Sequence, residues 1–363
     1  MKQRSPDYTL LIITVIIVVF GLVMLSSASM VKSQENFGTP YYYLKHQLLY
    51  GLLPGLFATW LTYKINYKKW KKFSFLFFVA AIIVLILVFL PGIGMKAGGA
   101  ARWLHLGPIS FQPSEMVKLG LIIYLAAWLG EKSKNFTNAS ETLLPFLIVV
   151  GSIMGLIVLQ PNIGTAGTIG IIATVMYFSA GAPLWHIVTI AALGFGGFFS
   201  FLKFFSHASN RFQVFLHPEL DPLGIGYQIN QALLAIGSGG FFGRGLGQSI
   251  QKFNYLPEVI GDSIFAIIAE EIGFVGVVLL IGLFFMFAMR GFKIAKNSPD
   301  NFGKFLAVGI TSWIVLQSFI NISAISGLIP LTGVPLPLIS YGASGLVVSL
   351  AAIGVLLNIS RHA

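Results

Sequence analysis

Residues 254–276 read NYLPEVIGDSIFAIIAEEIGFVG. An apolar run opens at Ile264, and four of the chain's twelve carboxylates (Glu258, Asp262, Glu270 and Glu271) fall within fourteen residues at its head. A carboxylate at mid-bilayer costs about 2.5–3.5 kcal/mol on the insertion scale, so each such group needs a reason to be there. The rest of the chain shows that the run is a membrane helix. Its residues are 56% hydrophobic and only 10% charged, whereas a soluble domain carries roughly 25% charged residues. There is too little charge to cover a water-facing surface. The expected fold is an all-α polytopic membrane protein, one integral membrane domain spanning residues 1–363, with room for about ten spans of ~20 residues.

Apolar runs at 10–30, 46–63, 73–91, 114–129, 142–159, 163–180, 184–205, 263–289, 304–326 and 340–359 supply the ten spans. The first could pass for a signal peptide, but the spans behind it make an uncleaved helix the better reading. Ten spans put both termini on one side. Fourteen of the 23 Lys and Arg fall on that side, the densest cluster being KINYKKWKK at 64–72, and nine on the other. The positive-inside rule therefore makes the termini cytoplasmic. The same rule accounts for the net charge of +11 without any nucleic-acid partner. The chain has no cysteine, which excludes disulfides, thiol chemistry and Cys-based metal sites.

A long loop, about 206–262, then lies outside between spans seven and eight. Loops of that size are usually functional. Residues 227–237 within it read as an amphipathic helix at the interface. GSGGFFGRGLGQS (237–249) is a glycine-dense turn whose amides and Arg244 could approach an anion. It lacks the βαβ setting of a dinucleotide site. Asp262, just before span eight, reads as a helix N-cap, a role that would lower its pKa. Glu270 and Glu271 lie about two turns deeper and point about 100° apart, so at least one needs a polar cavity or a basic partner.

Three further polar segments end on the same side. ARWLHLGPISFQPSEMVKL (101–119) reads as a loop, a helix start at Pro113, then Glu115 and Lys118 sharing a face at i and i+3. They are either substrate-facing groups or a self-satisfied ion pair. LQPNIGTAG (159–167) breaks a helix at Pro161. GLIPLTGVPLPLISYGASG (327–345) is dense in Pro and Gly, and broken backbone at membrane depth survives only where it is buried in protein or lines a cavity. Together these segments describe a cavity open to the outside. The six histidines show no H-E-x-x-H spacing, so no metal site is expected, and no G-x-S-x-G elbow or Walker loop occurs.

QPSEMVKL, QPNIGTA, GYQINQALLAIGSGGFFGRGLGQSIQKFNYLPEVIGDSIFAIIAEEIG and PLTGVPLPLISYGASG resemble, in order and spacing, the motifs of the SEDS family (FtsW, RodA and SpoVE) over nearly the whole chain. The wording is closer to the division type, FtsW. The resemblance implies a peptidoglycan glycosyltransferase that polymerises lipid II on the outer face of the bacterial cytoplasmic membrane. Implied partners are undecaprenyl-pyrophosphate-linked glycan, a class B penicillin-binding protein and other divisome or elongasome membrane proteins. Asp262 matches the family's essential Asp, as base or acceptor-orienting group. Substrate-binding candidates are Glu115, Lys118, Arg102, Arg211, Arg244, Lys252, Glu258, Gln228 and Ser340, with Glu271 and Lys45 supporting the cavity. No cofactor is certain, and a divalent cation, Mg or Mn, could assist the pyrophosphate. The chain departs from the family pattern at Ala101-Arg102-Trp103 (usually R-R-W), Gln160-Pro161-Asn162 (Q-P-D), Lys45-His46-Gln47 (K-R-Q) and Gly261-Asp262-Ser263 (T-D-F). The competing readings are a lipid II flippase, which needs an ionisable site near the midplane with access from both faces, and a scaffold that recruits a synthase and has no use for Asp262.

Overall fold

The computed structural model describes residues 5–92, 94–97, 100–106, 109–132, 139–204, 206–217 and 224–363. Of the stretches read above, positions 107–108 of 101–119, position 205 of the seventh apolar run and positions 218–223 of the long loop lie outside these. Each apolar run falls on helix. In chain order these are α1 (Tyr8–Phe37), α2 (Tyr42–His46) joined to α3 (Leu53–Lys64) by a π-helical stretch at Gln47–Leu52, α5 (Ser74–Leu87), α6 (Pro113–Lys132), α7 (Leu143–Leu159), α8 (Ile163–Ser179), α9 (Leu184–Phe204), α12 (Ile264–Asn297), α13 (Asn301–Ile325) and α14 (Ala343–Ser360). The short α4 (Lys68–Lys72) carries the basic cluster. Among the described residues, α1, α12, α13 and α14 are each long and apolar enough to cross a bilayer unaided.

Local chemistry sets the helix ends. Asp7 caps α1 by accepting from the Leu10 amide at 2.9 Å, and Gly38, at φ 68°, stops it in the left-handed region. Asn162 caps α8 through the Thr165 amide at 3.4 Å. The most enclosed helix is α13, with residues 305–315 buried without interruption, and it packs against α6, α8, α12 and α14, as expected of a helix at the centre of a bundle.

The helical membrane fold expected from the sequence is present, with one small addition. The segment before α6 folds into an antiparallel sheet, β1 (Gly94–Ala97), β2 (Ala100–Leu106) and β3 (Ile109–Phe111), in the order β1-β2-β3. Leu104 pairs with Gly94 on one side and Phe111 on the other and is buried. Pairing the strands satisfies the amides of a segment too polar for helix in lipid. The long loop contains α10 (Ser206–Leu216) and α11 (Ile225–Ser238), the second covering the residues 227–237 read as an amphipathic helix. On α11 Ile229, Ala232 and Ala235 are buried at intervals of three, while Leu233 and Leu234 are exposed.

Both chain ends lie at the same end of the bundle. The Asp7 amide donates to Ser360 Oγ at 3.0 Å, and Arg290 grips the Asp7 carboxylate at 3.1 and 2.7 Å. Beside them Tyr67 donates its hydroxyl to Asp300 at 2.5 Å and its amide to Asn358 at 2.9 Å.

Candidate active site

Asp262 stands in the turn that leads into α12. The N-cap is Ser263, without a side-chain capping bond, so the capping role expected of Asp262 is not the observed one. Long-range bonds pin the Asp262 backbone instead. Asn321 Nδ2 on α13 donates to its carbonyl at 2.8 Å, Ser340 Oγ donates to Gly261 O at 2.7 Å, and the Tyr341 amide donates to Ile260 O at 2.8 Å. Gln228 Nε2 on α11 donates to Ser263 Oγ at 3.1 Å. Glu258, exposed and at φ 53°, closes the turn by accepting from the Gly261 and Ser263 amides at 2.9 and 3.2 Å.

One oxygen of the carboxylate is left without a donor: Asp262 Oδ1 is enclosed and has no hydrogen-bond partner among the described residues. Burial first, and the neighbouring Glu258 carboxylate second, push its pKa up to about 6, against the opposing pull of Arg211 and of the Asp262 and Ser263 backbone amides. Arg211, on α10, donates from Nη1 to Leu331 O at 3.2 Å, while its Nε is enclosed without a partner. Arg102, on β2, donates from Nε to Gln160 O at 3.2 Å and from Nη2 to Pro161 O. Burial lowers the pKa of both guanidiniums, and Arg102 is lowered further by the charge of Arg211. Gly333 lies between the two charges of the site: a methyl there would sit 3.7 Å from Arg211 Nη1 and 3.8 Å from Asp262 Oδ2. Asp262, Glu258, Arg211, Arg102, Gln228 and Ser340, singled out separately in the sequence, thus meet at one place.

The floor of this site is the Pro/Gly-rich segment 327–342, which folds back into the bundle between α13 and α14. A Cβ on Gly21, mid-way along α1, would meet Leu338 O at 2.7 Å, so only glycine admits the two backbones there. Side chains from neighbouring helices satisfy the irregular backbone. Gln317 Nε2 donates to Pro335 O at 2.9 Å and Asn321 Nδ2 to Val334 O at 2.8 Å. Gln47 accepts from the Gly342 amide at 3.1 Å, and Ser340 Oγ accepts from the Leu336 amide at 2.8 Å. These amides were missed in the sequence. The available signal was a lone Gln or Asn inside an otherwise apolar run, since such a group buried without a partner would cost about 1–3 kcal/mol.

Other residues expected to meet substrate are engaged elsewhere. Lys118 and Glu115 are buried and bond to each other at 2.8 Å, and Lys118 also reaches Gln317 Oε1 at 2.6 Å. This is the self-satisfied pair, tied into α13 and from there to the floor segment. Lys252 is buried with its three protons on Gly247 O (2.7 Å), Ser27 Oγ (3.1 Å) and Glu271 Oε1 (3.1 Å), which leaves none for a pyrophosphate. Glu271 is therefore an anchor rather than a cavity wall. The glycine-dense turn does hold an anion, but the anion is the protein's own Glu270, which accepts from Ser249 Oγ (2.5 Å) and the amides of Ile250 (3.0 Å) and Gln251 (3.3 Å). Arg244 is drawn to the same carboxylate at 3.7 Å. Lys45 is exposed on α2.

The turn also explains how α12 tolerates a break. Gly273 is non-helical at φ 68°, ψ −171°, so the helix bonds across it are lost. Residues 240–245 replace them. The amides of Arg244 and Gly245 donate to Glu270 O (2.9 Å) and Glu271 O (3.0 Å), while those of Phe274 and Val275 donate to Gly240 O (2.9 Å) and Phe241 O (3.1 Å). These four bonds satisfy backbone groups freed by the kink, as membrane depth requires. The close approach demands glycine: a Cβ on Gly243 would meet Glu271 O at 2.2 Å.

Comparison with known proteins agrees with this architecture. The family profile for FtsW, RodA and SpoVE, described as "Cell cycle protein", matches residues 8–363. The chain is 43% identical to stage V sporulation protein E of Bacillus subtilis (strain 168), over 99% of this chain and 98% of that protein. It is 40% identical to a probable peptidoglycan glycosyltransferase FtsW of Trichlorobacter lovleyi, over 99% and 94%. Among solved structures it superposes on a chain of a peptidoglycan synthase complex with TM-score 0.82 at 28% identity, covering 98% of both chains. It superposes on the rod shape determining protein RodA of Thermus thermophilus with TM-score 0.72 at 28% identity, covering 98% of this chain and 97% of that one. The chain belongs to the FtsW/RodA/SpoVE family of proteins.

Proposed function

We propose that the chain is a peptidoglycan glycosyltransferase that polymerises lipid II at the site around Asp262. The observation that carries this reading is a buried carboxylate titrating near 6 beside the Arg211 guanidinium, with Arg102 near enough to Arg211 to feel its charge. Joining a sugar 4-hydroxyl to an anomeric carbon requires a group to accept the hydroxyl proton and cations to stabilise the departing pyrophosphate. Asp262 accepts the proton or orients the acceptor. Arg211 and Arg102 are in place for the pyrophosphate, and with water excluded their charges act at short range. Asn321, Ser340 and Gln228 hold the turn that carries Asp262. A divalent cation would find Asp262 and Glu258 here and complete its shell from water and substrate phosphates, the mixed set Mg²⁺ favours.

The ten helical runs act as ten spans, with the termini in the cytoplasm and the Asp262 site facing outward. The partner is a class B penicillin-binding protein, a reading supported by the likeness to a chain of a peptidoglycan synthase complex. The setting is division, in keeping with the FtsW relatives. Against a flippase stand the ties at the end carrying the termini, Arg290 on Asp7 and Tyr67 on Asp300 and Asn358, which close the face such a protein would have to open.

The test is polymerisation of lipid II by the purified protein with its partner. Asp262→Ala should lower the rate by about 10²–10⁴-fold, the usual share of a general base. Normal polymerisation by a folded Asp262→Ala protein would remove the assignment, and translocation of lipid II in liposomes without polymerisation would favour the flippase.

A further inference from the structure

The outer end of the α1–α2 hairpin carries an aromatic surface that the reading above leaves unused. Four of the chain's twelve tyrosines (Tyr41, Tyr42, Tyr43 and Tyr50) fall within ten residues. Phe37 stacks on Tyr42 at 3.5 Å with the rings 9° apart, and Tyr43 stands edge-on to both at 5.6 and 5.7 Å. Phe37, Tyr41 and Tyr42 are 45%, 50% and 38% exposed, so broad ring surface remains open.

This surface is continuous with the candidate active site. Tyr43 packs edge-on against Tyr341 at 5.1 Å, and His46, one turn below Tyr42, bonds the Tyr341 hydroxyl at 3.0 Å. The Tyr341 amide in turn bonds Ile260 O, two residues from Asp262. The π-helical stretch at Gln47–Leu52 adjoins this contact, and Gln47 holds the Gly342 amide; such widened turns occur often at functional sites.

We propose that Phe37, Tyr41 and Tyr42 form a platform on which pyranose rings stack as they enter or leave the site around Asp262. The C–H face of a β-linked hexopyranose is apolar and flat and matches an aromatic ring, while its equatorial hydroxyls reach hydroxyl-bearing neighbours. Phenol rings meet both needs, being apolar in the body and polar at the tip. An aromatic belt serving only to anchor helices has no need to stack its rings on one another, whereas here Phe37, Tyr42 and Tyr43 pack together and Tyr43 packs on Tyr341. The proposal deepens the glycosyltransferase reading and rests on it. The saccharide comes either from the growing strand or from the lipid-linked monomer.

The experiment separates these sources and does not depend on turnover. Binding of chitohexaose, a β-1,4-linked N-acetylglucosamine oligomer, is measured on full-length protein carrying Asp262→Ala. Adding Tyr41→Ala and Tyr42→Ala should weaken binding at least tenfold. Tyr42→Trp should retain binding, while Tyr42→Leu, apolar but without a flat face, should lose it. Unchanged binding in the double variant, restoration by leucine, or no binding by the parent protein would overturn the platform, whether or not the wild type polymerises. In polymerising protein, shorter strands from Tyr42→Ala identify the strand as the ligand, and a raised KM for lipid II at unchanged strand length identifies the monomer. If neither changes, the platform is refuted.

Discussion

Asp262 titrates near 6 because enclosure penalises its ionised form, with Glu258 adding to that cost, by more than Arg211 returns. As a general base it must be ionised. Polymerisation should therefore be nearly flat above pH 7 and fall about tenfold per unit well below 6, measured as initial rates between pH 5 and 8; a flat profile through 6 removes the base role. The same shift bears on stability with the opposite sign. The folded pKa lies above the unfolded value of 3.8, so the contribution is fully present below 3.8 and is lost as pH rises through about 6. At pH 7 the ionised carboxylate costs up to about 3 kcal/mol. Asp262→Asn should thus be nearly inactive yet melt higher than wild type at pH 7, and a lower melting temperature would contradict the buried-charge account. Asp262 stood out in the sequence as the carboxylate to suspect. Its pKa was not, because the N-cap reading pointed downward while enclosure by residues far along the chain points upward.

At the scale of elements, α12 shows how a kinked membrane helix depends on a loop that precedes it. Gly243→Ala pushes a methyl against Glu271 O and breaks the exchange of amide bonds at Gly273. It should unfold the protein or lower its melting temperature strongly in detergent, whereas Gly282→Ala, with open space around its Cβ, should be neutral or slightly stabilising. Lys252 and Glu271, both buried, test a different link. Lys252→Met alone should cost about 3–5 kcal/mol by stranding a buried carboxylate. Lys252→Met with Glu271→Gln should recover much of that loss, as read by thermal unfolding of the four-member cycle; additive losses would mean the pair is not coupled. The sequence marked these residues as polar oddities in apolar surroundings. It did not show that Lys252 faces Glu271 rather than substrate, because their meeting depends on the path of a glycine-rich turn whose dihedrals are set by α12.

At the scale of the molecule, the orientation can be checked directly because the chain has no cysteine. Asn230→Cys on the exposed side of α11 should react with a membrane-impermeant maleimide in intact protoplasts or spheroplasts, and Lys69→Cys on α4 only after lysis; the reverse pattern would invert the topology. Sequence alone determined that this is a helical membrane protein, where its apolar runs lie and which carboxylate to suspect. Those properties follow from local composition, since a bilayer demands about 20 apolar residues in a row and penalises each stray charge. Tertiary structure decided which charges remain available for chemistry. Lys118, Lys252, Glu270 and Glu271 are absorbed by partners from α13, α1 and the 239–252 turn, while Asp262 and Arg211 each keep an enclosed atom without a hydrogen-bond partner among the described residues. Pairing of that kind is fixed by contacts between residues as far apart as Ser27 and Glu271. The four carboxylates at 258–271 look alike along the chain and differ only in what the folded bundle brings to each.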